Sequence, residues 1–151
     1  MGSDIHYYSY ADLDALDEES DQLAEIIRAL ETQLSENPDD IDLLNKLGRA
    51  YYLNYEDEKS EEIYRKTLAL GSESARSYGG LGDALYELEQ YEEAATNYRK
   101  AIEFQADDDA LWTNLGVTYE SWNKYHEAEL TYKEAIRLNP EIPENHYKRD
   151  D

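Results

Sequence analysis

Three histidines, one aspartate run and one glycine cluster are the places where residue type alone could support chemistry. His6, His126 and His146 lie far apart, and none has a second His one helical turn away. Spacing therefore sets up neither a zinc site nor a catalytic triad. Asp107-Asp108-Asp109 lacks the glycine and the alternating ligands of a calcium loop, and reads as a turn leading into a helix cap. Gly79-Gly80-Leu81-Gly82 has the glycines of a phosphate loop but neither the following Lys-Ser/Thr nor a preceding strand. Acid pairs such as Glu61-Glu62 and Glu92-Glu93 are unremarkable in a chain with 36 Asp and Glu against 14 Lys and Arg, and read as solvated helix faces. With no Cys there is no thiolate ligand, thiol nucleophile or disulfide. The expectation is a non-enzymatic protein with no catalytic residues, no metal and no cofactor.

The charge narrows the partners. Net charge is −22 over 151 residues. Residues 1–40 hold 12 acids against Arg28 alone, so half of the excess sits in the first quarter of the chain. Nucleic acid and anionic membrane both require Lys and Arg to neutralise phosphate, so neither is an expected partner. A basic partner is permitted, and solubility or adaptation to high salt would explain the same balance. A hydrophobic content of 40% is enough to fill a core. No apolar run approaches the length of a membrane span, and the first residues show no signal peptide. The absence of Cys is compatible with a reducing compartment, and the cytoplasm is the expected location.

The elements that would position any site repeat. Leu47-Gly48, Leu81-Gly82 and Leu115-Gly116 recur at a step of 34 residues, as do Tyr64, Tyr98 and Tyr132, and Thr67, Ala101 and Ala135. Such a period means stacked helical units. With Leu-Gly in a common frame, the units are 41–74, 75–108 and 109–142. Each reads as two amphipathic helices, the first at roughly 42–54, 75–88 and 109–122, the second at roughly 57–70, 91–104 and 125–138. Asp109 is expected to cap the helix it opens, and Asn139-Pro140 to close the last one. Glycine inside a helix costs about 1 kcal/mol relative to Ala. Gly48, Gly82 and Gly116 are therefore expected to allow close approach of the second helix, with Ser60, Ala94 and Ala128 as facing small residues. Tyr64, Tyr98 and Tyr132 are expected to fill the groove toward the next unit. Residues 1–40 form an acidic helical segment, read as a degenerate repeat or a cap. Leu23, Ile26, Ile27, Leu30 and Leu34 make a helix at about 20–36, and Leu13 and Leu16 extend its stripe as a helix pair or one long helix. Residues 143–151 are a tail or the start of a further helix.

The string Trp112-x-x-Leu115-Gly116-x-x-Tyr119, Ala128-x-x-x-Tyr132 and Pro140, on its 34-residue period, resembles the tetratricopeptide repeat (TPR). The third unit matches throughout. The second has Tyr78 for Trp, and the first is weakest, with Leu44 for Trp and Asp57 for the turn Tyr. The resemblance implies an all-α fold: an α-α superhelix, or right-handed solenoid, of three helix-turn-helix units with an N-terminal helical cap. It also implies a protein-interaction scaffold whose first helices line a concave groove for a peptide or protein segment.

Carried onto this chain, the groove positions are Asn45, Arg49 and Tyr52, then Arg76, Gly79, Gly80, Asp83 and Tyr86, then Ala110, Thr113, Asn114, Val117 and Glu120. One subclass of the family clamps the acidic C-terminus of heat-shock chaperones. Gly80, Ala110 and Asn114 stand where that clamp wants Asn, Lys and Arg, so the clamp is absent or heavily altered. Arg49 and Arg76 lie on first helices, whereas Lys66, Arg99, Lys100, Lys133 and Arg137 lie on second helices and read as solvated. The two arginines are expected either to anchor a partner carboxylate beside Tyr52 and Tyr86 or to pair with Glu73, Asp83 or Glu87. Residues 4–19 could fold back over this groove. A different class of function is an assembly element: a homodimer formed through the open C-terminal end, with Leu130 and Ile136 in the contact.

Overall fold

The structure is a computed structural model and describes Tyr10, Leu13 and residues 21–141. Among them run seven helices and no strand: α1 Asp21–Glu36, α2 Ile41–Leu53, α3 Asp57–Ala69, α4 Ala75–Glu87, α5 Tyr91–Phe104, α6 Asp109–Ser121 and α7 Tyr125–Leu138. From α2 onward the bounds differ from those expected from sequence by a residue or none. Whether the segment before α1 is one helix or a pair lies outside the described residues, as do Leu16 and residues 143–151. The helices fall into two compact blocks, the first ending at Glu73 and the second beginning at Ser74.

In the first block α1 packs on α2, and α2 on α3. The core joins Leu13, Leu23, Ile26, Ile27 and Leu30 to Leu43, Leu47, Ala50 and Tyr51. Burying such side chains stabilises the block by roughly 2 kcal/mol each. Tyr51 Oη donates to Glu31 Oε2 at 2.6 Å, tying α1 to α2. Burial, then Glu31, pushes the Tyr51 phenol above its ordinary range. Lys66 Nζ donates to Pro38 O at 2.9 Å, which holds the end of α3 on the α1–α2 loop. In the second block α4 packs on α5, α5 on α6 and α6 on α7.

The same contact fastens each helix pair. A Cβ added to Gly48 would come within 2.8 Å of the Tyr64 ring, one on Gly82 within 2.9 Å of Tyr98, and one on Gly116 within 2.6 Å of Tyr132. The three rings stand against helix backbone where no side chain stands. This corrects the sequence reading, which sent the rings toward the next repeat. Each ring lies instead on the glycine of its own repeat, because only the bare helix offers a surface close enough to take it. Ser60, Ala94 and Ala128 are buried beneath, and Ser60 adds a bond from its hydroxyl to Gly48 O at 2.8 Å.

The helix ends repeat as faithfully as the packing. Asp40, Ser74 and Asp108 cap α2, α4 and α6 by accepting from Leu43, Ser77 and Ala110 N–H. Asp109 is thus the first helical residue and not the cap. Asp108 has the extended backbone, φ −88° and ψ 101°, that lets its side chain fold back on the first turn. At the other end, Tyr55, Glu89 and Asn123 adopt φ of 61°, 62° and 61°. The N–H groups of Glu56, Gln90 and Lys124 then reach Tyr51, Leu85 and Tyr119 O at 2.9, 2.9 and 2.7 Å. This is the six-to-one bond of a Schellman turn, which satisfies carbonyls the helix leaves open. Asn123 suits that conformation, whereas Tyr55 and Glu89 carry a penalty of order 1 kcal/mol. Asp57 opens α3 with Oδ1 buried and unbonded, and burial, then Glu58, raises its carboxyl above the usual range.

Gly116→Ala should lower stability by about 1–3 kcal/mol, the usual penalty for overpacking, although Ala is the better helix former. The loss should shrink when Tyr132→Leu is added, as read from a double-mutant cycle in urea. A Gly116→Ala variant as stable as the parent would refute the ring-on-glycine fastening.

Candidate functional site

The residues selected from the sequence lie on α2, α4 and α6, the first helix of each repeat. In the first block, Arg49 and Tyr52 are both half-buried, and the guanidinium carbon stands 5.4 Å from the ring centre. That is a cation–π distance, which holds the arginine side chain along the helix surface. Asn45 is buried at 6% exposure, and its backbone carbonyl accepts from Tyr64 Oη at 3.4 Å. It belongs to the interior and not to an accessible groove. Tyr10, the one described aromatic of the N-terminal segment, lies with its ring centre 5.8 Å from Lys46 Nζ on α2. The rest of the fold-back segment is outside the described residues.

In the second block, α4 and α6 are bridged by Tyr86 Oη and Ser121 Oγ at 2.9 Å. Gly79 is buried, and a Cβ there would approach Leu111 Cδ2 to 3.2 Å. The glycine therefore makes room for a neighbouring leucine and leaves no open backbone for a ligand. Gly80, Asp83 and Tyr86 are half-buried on the same helix, and Arg76 is exposed at its start. Asp83 accepts a short hydrogen bond from Tyr98 Oη. Tyr98 crosses Gly82 to make that bond, so the packing ring also orients a carboxylate. On α6, Thr113 turns its hydroxyl to Asp109 O at 2.9 Å, and the Asn114 carbonyl accepts from Thr118 Oγ1 at 2.7 Å. Thr113, Asn114, Val117 and Glu120 are half-buried, and Ala110 is exposed. Glu120 and Tyr86 also act on Tyr132, whose phenol is raised by burial first and by these two after it.

Sequence reasoning missed Ser121 and the hydroxyls of Tyr98 and Tyr132. The sequence marks the tyrosines as packing residues, and nothing in their spacing says that a ring crossing a glycine delivers its hydroxyl to the far side. An open hollow of about 460 Å³ is lined by Gln90, Tyr91, Glu92, Glu93 and Thr96, none of them selected from sequence. Tyr91 stacks at a tilt on Tyr86, with ring centres 5.5 Å apart. Among the described residues, no group of three or more His, Asp or Glu is placed to hold a metal ion, and His126 is exposed on α7. His6 and His146 lie outside those residues. No helix among them is long and apolar enough to cross a membrane.

Comparison with known proteins agrees with this architecture. Sequence models described as tetratricopeptide repeat match residues 41–73 and 110–142, and one described as TPR repeat matches 82–121. No curated protein matches the chain. Among solved structures, a MamA crystal structure is similar at 23% identity and a TM-score of 0.73, over 89% of this chain and 77% of that one. The TPR domain of Arabidopsis OM64 is similar at 20% identity and 0.67, over 71% and 90%. YrrB, titled a TPR protein with an unusual peptide-binding site, is similar at 18% identity and 0.69, over 79% and 61%. At these identities the likeness concerns the fold, and the all-α repeat class read from the sequence is the class found.

The tyrosine hydroxyls differ in what they hold, and so should their removal. Tyr98→Phe strips a bond to a carboxylate and should cost about 1.5–3 kcal/mol. Tyr64→Phe strips a 3.4 Å bond to a carbonyl and should cost less than about 1 kcal/mol. Urea denaturation of the two variants checks the order; equal losses would refute it.

Proposed function

Because the chain belongs to the tetratricopeptide repeat family, we propose that it is a non-enzymatic interaction scaffold that holds a peptide or protein segment along its first helices. The observation that carries this is a division of labour on α2, α4 and α6. The residues of the family pattern (Leu47, Gly48, Leu81, Gly82, Leu115 and Gly116) are consumed in packing. The positions between them present accessible surface, namely Arg49 over Tyr52, exposed Arg76, and Tyr86 joined to Ser121. Tyrosine offers a rigid amphipathic contact, and arginine a bidentate fork for carboxylate. Arg49 and Arg76 act as polar anchors in this reading, Tyr52 and Tyr86 as contact surface, and Asp83, Gly80, Thr113, Asn114 and Val117 as further contact positions on α4 and α6. Asn45 and Gly79 contribute from beneath as packing residues. No cofactor takes part, and the acid excess disfavours nucleic acid.

A second reading, self-association through α7, is favoured by one observation. Leu130 and Tyr125 on that helix are 55% and 48% exposed.

Arg49→Glu combined with Arg76→Glu should weaken capture of protein partners at least tenfold, about 1.4 kcal/mol, with helical circular dichroism unchanged. Mass spectrometry of pull-downs with the parent and the double variant reads the difference, and an unchanged partner list would place the site elsewhere. For the second reading, light scattering should show a concentration-dependent dimer that Leu130→Glu dissociates. A monomer at all concentrations would dismiss it.

A further inference from the structure

Bases are outnumbered in this protein, so a base that does not sit on an acid is informative. Lys46, Lys59, Arg65, Lys66, Lys133 and Arg137 each have a carboxylate within 4.0 Å. Among the described residues, Arg99, Lys100 and Lys124 have no carboxylate within 4.0 Å; Lys100 and Lys124 lie over the Tyr78 and Trp122 rings, and Arg99 bonds to a tyrosine hydroxyl. Arg99 Nη1 donates to Tyr119 Oη at 2.6 Å and Nη2 to Thr96 Oγ1 at 3.2 Å. The Tyr119 ring is stacked with Trp122 at 6.4 Å between centres and 12° between planes. Lys124 Nζ stands 5.0 Å from the centre of the Trp122 ring. These contacts form one unbroken shelf, Thr96–Arg99–Tyr119–Trp122–Lys124, within the second block. Acids are within easy reach in sequence: Glu103 is one turn on from Arg99, and Glu127 three residues on from Lys124. Arg99 is nonetheless held by the Tyr119 and Thr96 hydroxyls and Lys124 over the Trp122 ring, and both cations are exposed.

We propose that this shelf is a second docking surface, for an acidic protein segment that also carries an aromatic side chain. Two exposed cations flank two half-buried rings. The complement is a pair of carboxylates with an aromatic group between them, the carboxylates on Arg99 and Lys124 and the ring against Trp122. A phosphodiester chain fits less well, since nucleic-acid affinity grows with the number of phosphates neutralised and the surrounding protein is strongly acidic. The net charge of −22 repels an acidic segment at long range, but at physiological salt that field fades beyond about 8 Å. Short-range contact with the shelf then decides binding. The proposal is independent of the first-helix reading, because none of its residues is shared with that surface.

The test uses the full chain, labelled with nitrogen-15, and a short synthetic peptide of repeating Glu-Glu-Phe. Titration should shift the indole N–H resonance of Trp122. The Trp112 indole, which donates to Ala106 O at 2.8 Å, should stay in place. Arg99→Gln with Lys124→Gln should weaken binding at least about tenfold while Arg49→Glu with Arg76→Glu leaves it unchanged. Both shelf residues are exposed, and each single substitution should give an intermediate loss in a chain whose circular dichroism matches the parent. The proposal is overturned if Trp122 does not respond, if a Lys-Lys-Phe peptide binds equally well, if oligothymidine binds more tightly than the acidic peptide, or if the first-helix variant abolishes the shift.

Discussion

A tyrosine ring lying on bare helix backbone is the contact on which this structure depends. It occurs at Gly48, Gly82 and Gly116, and at each the ring stands where even a methyl group would intrude. The constraint acts on both partners. The first helix must give up a side chain at that position and accept a weaker helix propensity. The second must present an aromatic ring long enough to cross to it. Neighbouring choices follow from the short distance between the helices. Ser60, Ala94 and Ala128 are small, and Thr67, Ala101 and Ala135 are buried a turn beyond the ring. The two ends of each first helix are also fixed, with a side-chain cap before it and a Schellman turn after it that leads into the second helix.

What the contact leaves open is the surface, and there two groups of side chains in the second block differ. On the first-helix side, Tyr98 reaches Asp83 and Tyr86 reaches Ser121, so polar groups are already tied into a network before any partner arrives. Groups held in this way lose little freedom on binding, which favours a defined mode of recognition. Along the stretch from Thr96 to Lys124, Arg99 bonds to the Tyr119 hydroxyl and Lys124 lies over the Trp122 ring, and neither rests on a carboxylate. A protein with this much acid could have paired them; holding one by hydroxyls and the other over a ring leaves their charge unneutralised.

The fold was legible because its determinants are local and periodic. The 34-residue step and the helical spacing of Leu, Gly and Tyr locate every helix from α2 to α7, and Leu23 to Leu30 locate α1. Directions were less legible. The spacing of Tyr64, Tyr98 and Tyr132 identifies buried rings but not which helix they lie on, since that depends on the angle between helices. Asp108 and Asp109 are chemically equal candidates for a cap, and only the backbone turn decides between them. Gly79 takes a groove position in the sequence because a missing side chain says nothing about a neighbour such as Leu111 filling the space. Tyr55 and Glu89 hide their left-handed turns because neither residue type advertises that conformation, whereas Asn123 does. The shelf from Arg99 to Lys124 was invisible for a related reason: its members come from two helices and a turn, and no single stretch of chain contains the pattern.

Each glycine and its tyrosine are sixteen residues apart, as 48 is from 64, so the fastening contact closes a short loop within a single hairpin. Contacts of low sequence separation form early, because little chain entropy is lost in bringing their partners together. Each hairpin can therefore acquire its defining contact before its neighbours exist, and assembly along the chain becomes an addition of pre-fastened pieces. The same locality makes a hairpin a natural quantum of gain or loss: a duplication or deletion of one whole period carries its own fastener with it, while one that cuts between glycine and tyrosine leaves a ring with nothing to lie on.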